Sequence, residues 1–172
     1  MGVLDTINGW LSAPPANLIY LVPTLAFLES CPGIGLFVSG VFLLSTSTLL
    51  YTSDSASLSA ILLLGFSGAL LGDHSGYFVG RLMGGRVWHM TWLKSTVKTR
   101  AKIQTQLEKS APIGICVGRL VPLLRSLTPI VAGISGMPWR TFFVCDLLAC
   151  TIWASGLYLI LTNLALISLS IG

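Results

Sequence analysis

The sequence predicts an all-α integral membrane protein, an inverted repeat in which a re-entrant helical hairpin is followed by a transmembrane helix. Composition is the first reason: hydrophobic residues make up 53% of the chain, charged residues 9%, and mean hydropathy is +0.84. Soluble domains carry about 25% charged residues. The second reason is that long apolar runs fill most of residues 1–172, which leaves room for one membrane domain. The third is the placement of basic residues, which orients the runs from residue 57 onward.

The first apolar run, residues 17–51, is too long for one ordinary crossing and is interrupted near its middle. Pro32 and several glycines weaken a continuous helix there, and Glu29 places a carboxylate at membrane depth. We expect a hairpin that enters from outside and returns, with its break at Pro32. One tilted or kinked crossing is the alternative. Charge does not decide between the two, because no basic residue precedes Arg81.

The second run, residues 57–80, is predicted to cross the membrane once, from outside to inside. Its glycines recur at intervals of three or four, so they form a strip without side chains against which another helix packs closely. Asp73 lies beside this strip, and we expect it to face the protein interior as a counter-ion or in proton coupling. The glycines of the strip are Gly65, Gly68, Gly72, Gly76 and Gly80.

Residues 81–110 are predicted to form a cytoplasmic loop along the inner face of the membrane. Seven of the ten Lys and Arg residues lie between positions 81 and 109, and cytoplasmic loops carry such an excess. Tryptophans and apolar residues alternate with the lysines, which is typical of an amphipathic interfacial segment. Topology and contact with anionic lipids account for these charges, and no nucleic-acid motif accompanies them, so we expect no nucleic-acid partner.

The third run, residues 111–138, contains Arg119 and Arg125 at membrane depth. One arginine near the bilayer centre costs roughly 2.5–3.5 kcal/mol on insertion scales, so the pair needs a compensating structure or ligand. A simple crossing would also leave Arg140 on the outer face, whereas a re-entrant hairpin returns it to the cytoplasm. We therefore predict a second hairpin, opposed to the first.

Breaks in this hairpin are expected at Pro122 and Pro129, which lack the N–H groups of a continuous helix. Irregular backbone at membrane depth is tolerated only where protein or water covers it, so the segment is predicted to line a cavity. A break near Pro122 turns both arginines toward one site, beside the free N–H groups of the second half-helix. Such a site suits a phosphate. The alternative is that each arginine snorkels or pairs with a buried carboxylate.

The last run, residues 141–171, is long enough to cross back outward. Asp146 lies in its first turns and is a candidate partner of either arginine, as a structural counter-ion or in proton coupling. The four cysteines lie in apolar runs without paired spacing, so we expect packed thiols and neither a disulfide framework nor a metal site. No cofactor is predicted, and no nucleophile, base and orienting acid show the spacing of an enzyme.

The run from Gly118 to Met137 resembles the hallmark segment of the DedA family, whose members are also called SNARE-associated or VTT-domain proteins. Its matching residues are Arg119, Pro122, Arg125, Pro129, Gly133 and Met137. Two further stretches agree, and together the similarity covers about residues 27–156. They are Phe27-Leu28-Glu29 with Gly35-Leu36 and Gly40, and Gly72-Asp73 with Tyr77, Gly80-Arg81 and Gly84.

The resemblance implies two opposed re-entrant hairpins and a role in moving lipid carriers, notably undecaprenyl phosphate in bacteria and phospholipids in eukaryotic relatives. It matches Arg119 and Arg125 to the family's essential arginines and Glu29 to its first membrane-embedded acid. Many members carry a second acid a short distance further on, where this chain has Ser39-Gly40-Val41. Coupling through that pair of acids is therefore not implied, and a second acid would have to be supplied from elsewhere, by Asp73 or Asp146.

The residues predict a phosphate site at membrane depth, and the resemblance implies flippase-like or scramblase-like transport of a phosphate-bearing lipid, most specifically undecaprenyl phosphate, in the bacterial cytoplasmic membrane. Arg119 and Arg125 bind the phosphate, and Glu29 competes for them when ionised and releases them when protonated. Membrane lipids are the expected partners, and a homo-oligomer is one of the possible assembly states. The alternatives are a general phospholipid scramblase, a proton-coupled transporter of small cations, a lipid phosphatase and a structural assembly factor.

Overall fold

The computed structural model describes residues 14–31, 33–36, 38, 40–84, 114–115, 118 and 122–171, and their regular secondary structure is entirely helical. The predicted all-α class is therefore confirmed for this part of the chain. Six α-helices have both ends within the described part, and residues 114, 115 and 118 are also helical. A 3-10 turn at Ala16–Tyr20 precedes the first helix, and another at Ile34–Leu36 lies between the first two. The six helices are α1 Leu21–Ser30, α2 Gly40–Thr52, α3 Leu58–Met83, α4 Pro122–Arg125, α5 Thr128–Ile134 and α6 Trp139–Ile171.

Helices α3 and α6 are the two described helices long and apolar enough to cross a membrane. Each has a 26-residue apolar stretch, which spans about 39 Å against a hydrocarbon core of about 30 Å. The Ser57 hydroxyl caps α3 by accepting from the Ala60 N–H at 3.3 Å, and Gly84, at φ 53°, follows its last residue. Helix α3 therefore extends past the predicted end at residue 80.

Helix α6 begins slightly earlier than predicted, so Arg140 lies within its first turn. The Phe142 N–H donates to the Pro138 carbonyl at 3.1 Å, which closes that turn directly after the proline. The predicted crossing by residues 141–171 corresponds to α6, whose 26-residue apolar stretch is Trp139–Leu164. The predicted loop 81–110 lies almost entirely outside the described residues.

Helices α1 and α2 are too short to cross a bilayer singly. Their 10 and 13 residues correspond to about 15 Å and 20 Å. Helix α1 ends where Cys31 turns extended, and Gly33 follows with φ 85°, a conformation that favours glycine. The two helices then contact each other. Run 17–51 is thus a broken pair of helices, although Pro32, the predicted break, is outside the described residues.

The glycine strip of α3 is the seam on which the molecule is assembled. A Cβ added at Gly72 would lie 2.6 Å from the Ser30 Cβ and 2.7 Å from the Phe27 carbonyl oxygen, both in α1. A Cβ at Gly80 would collide with the Ile130 carbonyl of α5. Backbone therefore packs on backbone along α3, with α1 at one end of the seam and α5 at the other.

Two apolar clusters flank this seam. One lies between α3, α5 and α6, where the Tyr77 ring stacks on Phe142 at 4.6 Å between centroids. The Tyr77 hydroxyl donates to the Met137 carbonyl at 2.5 Å, and Arg81 donates to the same oxygen at 3.3 Å. The other cluster joins α1, α2, α3 and α6 through residues such as Val22, Leu43 and Leu157. The polar residues described next lie among these helices.

Candidate functional site

Arg125 lies at the end of α4 and is 6% exposed. Its Nη1 donates to Glu29 Oε1 at 2.5 Å, and its Nη2 donates to Ser30 Oγ at 3.4 Å. The guanidinium also lies over the Trp153 ring, 5.1 Å from the centroid, at a distance that gives cation–π attraction. We call Glu29, Ser30, Arg125, Ser126 and Trp153 the arginine site. Helices α1, α4 and α6 and the turn after α4 all contribute to it.

Helix ends position the arginine site. Glu29 and Ser30 are the last residues of α1, so their side chains leave the helix where the chain turns away. After Arg125 the backbone makes a turn at Ser126, in which the Leu127 N–H donates to the Leu124 carbonyl at 3.1 Å. The two chain breaks meet, because a Cβ added at Gly35 would lie 3.1 Å from the Ser126 Cβ.

The Glu29 carboxylate also contacts the start of α2. A Cβ added at Gly40 would lie 2.8 Å from Glu29 Oε1, so a side chain there would push the carboxylate out of its place. The N-terminus of a helix carries a partial positive charge that favours an anion. Glu29 therefore occupies an anion position between the first turn of α2 and the Arg125 guanidinium.

Arg125 Nε and Ser126 Oγ are buried polar atoms of this site, and neither has a hydrogen-bond partner among the described residues. A guanidinium offers five N–H donors in a fixed fork, and buried donors are nearly always satisfied. The site therefore has donor capacity beyond what Glu29 and Ser30 use, and a phosphate oxygen is an acceptor of suitable charge.

A second polar cluster lies between α3 and α6. One donor atom from each of Asp73, Asp146 and Cys150 lies within 4.8 Å of the others, and all three residues are buried. His74 Nδ1 is 3.6 Å from Asp146 Oδ2 and 2.9 Å from the Leu70 carbonyl. We call Asp73, Asp146 and Cys150 the acid cluster. Two carboxylates and a thiol can hold protons or a cation such as Zn²⁺.

The predicted site residues therefore separate into two groups. Glu29 and Arg125 form an ion pair, whereas Asp73 and Asp146 lie together in the acid cluster. Arg119, the other predicted phosphate ligand, is outside the described residues.

Two of the predicted breaks, Pro122 and Pro129, lie at the starts of helices, and the predicted glycines lie along the seam. Pro122 opens α4, and Pro129 is the second residue of α5. Every glycine of the strip is buried in α3. These residues are Gly65, Gly68, Gly72, Gly76 and Gly80.

Sequence reasoning missed Cys150 and Trp153 as members of these clusters. They follow Asp146 by four and seven positions, so all three lie on one face of α6. That spacing was an available signal. Ser30 and Ser126, each next to a predicted site residue, carried no separate signal because serine is common at helix ends.

An apolar groove of about 380 Å³ lies beside the arginine site, between α2 and α6. Glu29 and Trp153 are part of its lining, so the groove is continuous with the arginine site. The remaining lining is entirely apolar. It consists of Gly40, Leu43, Leu44, Ile152, Gly156, Leu157 and Ile160.

The fold has two membrane-length helices, a buried arginine and a pair of short broken helices. These features define the class of helical membrane proteins with a polar site at membrane depth. The family model of the VTT domain matches residues 31–163. The chain belongs to this family, the DedA family, as the motifs in its sequence predicted.

Curated relatives are bacterial membrane proteins. An uncharacterized membrane protein of Buchnera aphidicola (Acyrthosiphon pisum) is 27% identical over 151 residues, covering 86% of this chain and 59% of that protein. Inner membrane protein YabI of Escherichia coli is 30% identical over 132 residues, 77% of this chain and 52% of YabI. Undecaprenyl phosphate transporter A of Staphylococcus aureus is 30% identical over 118 residues, 68% of this chain and 55% of the transporter.

The chain spans between 40% and 62% of the length of the curated relatives it matches. No solved structure matches it. The relatives and the two membrane-length helices confirm the predicted location, an integral protein of the bacterial cytoplasmic membrane.

Proposed function

We propose that the chain moves a phosphate-bearing lipid across the cytoplasmic membrane, with undecaprenyl phosphate as the specific substrate, and that it catalyses no chemical conversion. The observation that carries this proposal is the buried Arg125 guanidinium in a membrane protein of this family, with its Nε unpaired among the described residues. The name of the Staphylococcus aureus relative supports the choice of lipid. The lipid phosphate binds at the arginine site while most of its hydrocarbon remains in the bilayer.

Phosphate binding in this proposal replaces one anion by another. In the structure, Glu29 Oε1 accepts a hydrogen bond from Arg125 Nη1. In the lipid-bound state, phosphate oxygens take this position and accept two parallel N–H···O bonds from the guanidinium. Arg119 supplies the second guanidinium. Because two adjacent anions would repel each other, the phosphate binds when Glu29 is protonated and leaves when Glu29 ionises and pairs with Arg125 again. Affinity for the lipid is thereby coupled to protonation.

The acid cluster provides the second protonatable group in this proposal. Asp73 and Asp146 are buried on the two membrane-length helices, α3 and α6. They take the role of the second acid that many family members carry in the stretch corresponding to Ser39-Gly40-Val41. When Glu29 releases a proton on one side of the membrane, Asp73 or Asp146 can take up a proton.

Access from both leaflets is provided by the inverted repeat. Helices α1 and α2 form the first re-entrant hairpin, and the run 111–138 forms the second. The shortness of α1 and α2 supports the first hairpin, and the contact of Gly35 with the Ser126 turn supports opposed tips that meet at membrane depth. The site at these tips then faces either leaflet as the hairpins tilt.

The experiment that tests this proposal is transbilayer movement in vesicles that contain the purified protein. A fluorescent undecaprenyl phosphate is incorporated, and its movement is followed by quenching from outside. We expect the double variant Arg119→Ala, Arg125→Ala to abolish protein-dependent movement. Arg140→Ala is the matched control, because Arg140 is exposed in the first turn of α6. Equal movement with the double variant would contradict the site assignment.

One observation favours a second candidate function, proton-coupled transport of a small cation. The acid cluster brings two buried carboxylates and a thiol together, a donor set that suits a cation more than a phosphate. Ion-flux measurements on the same vesicles distinguish the two functions. Cation flux that depends on Asp73 and Asp146 but not on Arg125 would favour this candidate, whereas movement of neutral and anionic phospholipids alike would favour general scrambling.

A further inference from the structure

The groove between α2 and α6 has the chemistry of a hydrocarbon site with one polar end. Glu29 and Trp153 line it, and Trp153 lies over the Arg125 guanidinium. All other lining residues are apolar. The apolar groove therefore adjoins a buried cation, and an amphiphile with an anionic head matches both the groove and the cation.

Gly156 leaves open space in this groove. A Cβ added at Gly156 would meet no atom within 4 Å, although Gly156 lies in the middle of α6. Gly40 stands at the start of α2, next to the Glu29 carboxylate. Glycine in a helix interior costs roughly 0.5–1 kcal/mol relative to alanine, so its presence at Gly156 is unfavourable for the helix alone. An open groove is a reason for the absent side chain.

We propose that this groove holds the single polyprenyl chain of the phosphate lipid whose head binds at the arginine site, an inference that rests on the proposed function. Glu29 and Trp153 of the arginine site line this groove. In a lipid with two chains the second chain is attached close to the head, at the end of the groove that Glu29 and Trp153 line, so the groove favours a lipid with one chain. A second pocket, about 420 Å³ between α3 and α6, is lined by residues such as Leu62, Phe66 and Tyr158.

The groove determines which lipid binds and how its chain is oriented, and it contributes less to the binding affinity. A chain that leaves the bilayer for the groove exchanges one apolar environment for another, so the hydrophobic effect contributes little. Packing against Leu43, Ile152 and Ile160 instead fixes the position of the first isoprene units relative to Arg125. Shape therefore distinguishes the chains, and charge distinguishes the heads.

Gly156→Leu is the variant that tests the groove. Its side chain fills open space, and leucine is a stronger helix former than glycine, so the helix itself is not weakened. Ala154→Leu is the matched control, because Ala154 lies on the same helix but lines the other pocket. The two variants add apolar volume two positions apart and differ in the pocket they fill.

The experiment uses purified protein in vesicles and a polyprenyl phosphate with a diazirine in its first isoprene units. After illumination, labelled peptides are mapped by mass spectrometry. We expect labels on the groove faces of α2 and α6, lowered on the order of tenfold by Gly156→Leu and unchanged by Ala154→Leu. Labels that are insensitive to Gly156→Leu, or concentrated around Leu62 and Phe66, would overturn the proposal.

Two further arms separate this inference from the proposed function. A phosphatidic acid with the same diazirine should label the groove weakly, and equal labelling that Gly156→Leu also suppresses would overturn the single-chain assignment. If Arg125→Ala abolishes transport and Gly156→Leu leaves the labelling unaffected, the groove proposal is refuted and the proposed function stands. Groove labelling that persists in Arg125→Ala and disappears in Gly156→Leu refutes the phosphate assignment and keeps the chain in the groove.

Discussion

At the scale of single residues, the pair of Arg125 and Glu29 dominates the site. Their side chains are 7% and 12% exposed, so both charges have left water. Desolvation of two ions costs several kcal/mol each, and mutual attraction with added hydrogen bonds recovers much of it. A pair of this kind contributes little net stability, but a partner left alone is very unfavourable. The pair is therefore a favourable place for exchange of one anion for another.

Removal of one partner should destabilise the protein more than removal of both. We expect Glu29→Leu to lower the free energy of unfolding by about 3–5 kcal/mol, because Arg125 is then a buried charge without its counter-ion. The double variant Glu29→Leu, Arg125→Leu should recover most of that loss. Denaturation in mixed micelles, followed by circular dichroism, measures the cycle. Additive losses would show that the two side chains are not coupled.

Trp153 should contribute through the face of its ring. We expect Trp153→Leu to lower protein-dependent movement of the phosphate lipid and to reduce stability by about 1–2 kcal/mol, since the cation–π contact with Arg125 is lost. Trp153→Phe keeps an aromatic face and should retain most of both. The vesicle assay and thermal unfolding provide the two measurements, and equal effects of the two substitutions would argue against a role for the ring.

Individual charges were predictable from the sequence, but their neighbours were only partly so. An arginine in an apolar run is costly wherever it lies, so Arg125 was recognisable without any structure. Glu29 was recognisable for the same reason. The grouping of Cys150 with Asp73 depends on how α6 crosses α3, which no local pattern encodes.

At the scale of helices, the glycine seam of α3 explains why the site residues of α1 stand where they do. Gly72 faces Phe27 and Ser30, and Ser30 accepts a hydrogen bond from Arg125. The closeness of α1 to α3 therefore sets the height of Glu29 and Ser30 relative to Arg125. The regular spacing of the glycines predicted a helix contact, whereas the identity of the partner helices required the fold.

A side chain at Gly72 should separate α1 from α3. We expect Gly72→Val to destabilise the protein by about 1–3 kcal/mol through overpacking, and to reduce lipid movement because Ser30 is displaced. Gly156→Ala is the control, since its Cβ meets open space and the change should stabilise the protein by about 0.4–1 kcal/mol. Thermal unfolding of both variants checks the two signs, and a neutral Gly72→Val would contradict the tight seam.

At the scale of the whole molecule, the two long helices and the broken pair α1 and α2 determine the possible topologies. Length and composition predicted the long helices, because about 20 apolar residues in succession leave few alternatives. The course of residues 17–51 was ambiguous in sequence, because charge gave no orientation before Arg81. The structure resolves it into two short helices, and the sidedness of their ends can be measured.

Cysteine labelling distinguishes a re-entrant hairpin from a single crossing. In a background with the native cysteines replaced by alanine, Asn17→Cys and Ser55→Cys should both react with an impermeant maleimide from the outer face of intact cells. Both positions are exposed, just before α1 and just after α2. Ser95→Cys, in the predicted cytoplasmic loop, should react only after permeabilisation. Reaction of Asn17→Cys and Ser55→Cys from opposite faces would establish a single crossing.

The backbone-to-backbone seam of α3 has a mechanical consequence. Interdigitated side chains prevent one helix from sliding along another, because each side chain must leave the gap between its neighbours before it enters the next gap. The glycine seam of α3 contacts carbonyl groups and has no such side chains. Small shear displacements of α1 and α5 along α3 therefore need few side-chain rearrangements. Because α1 ends in Glu29 and α5 follows Arg125, such displacements would change the distance between these two charges.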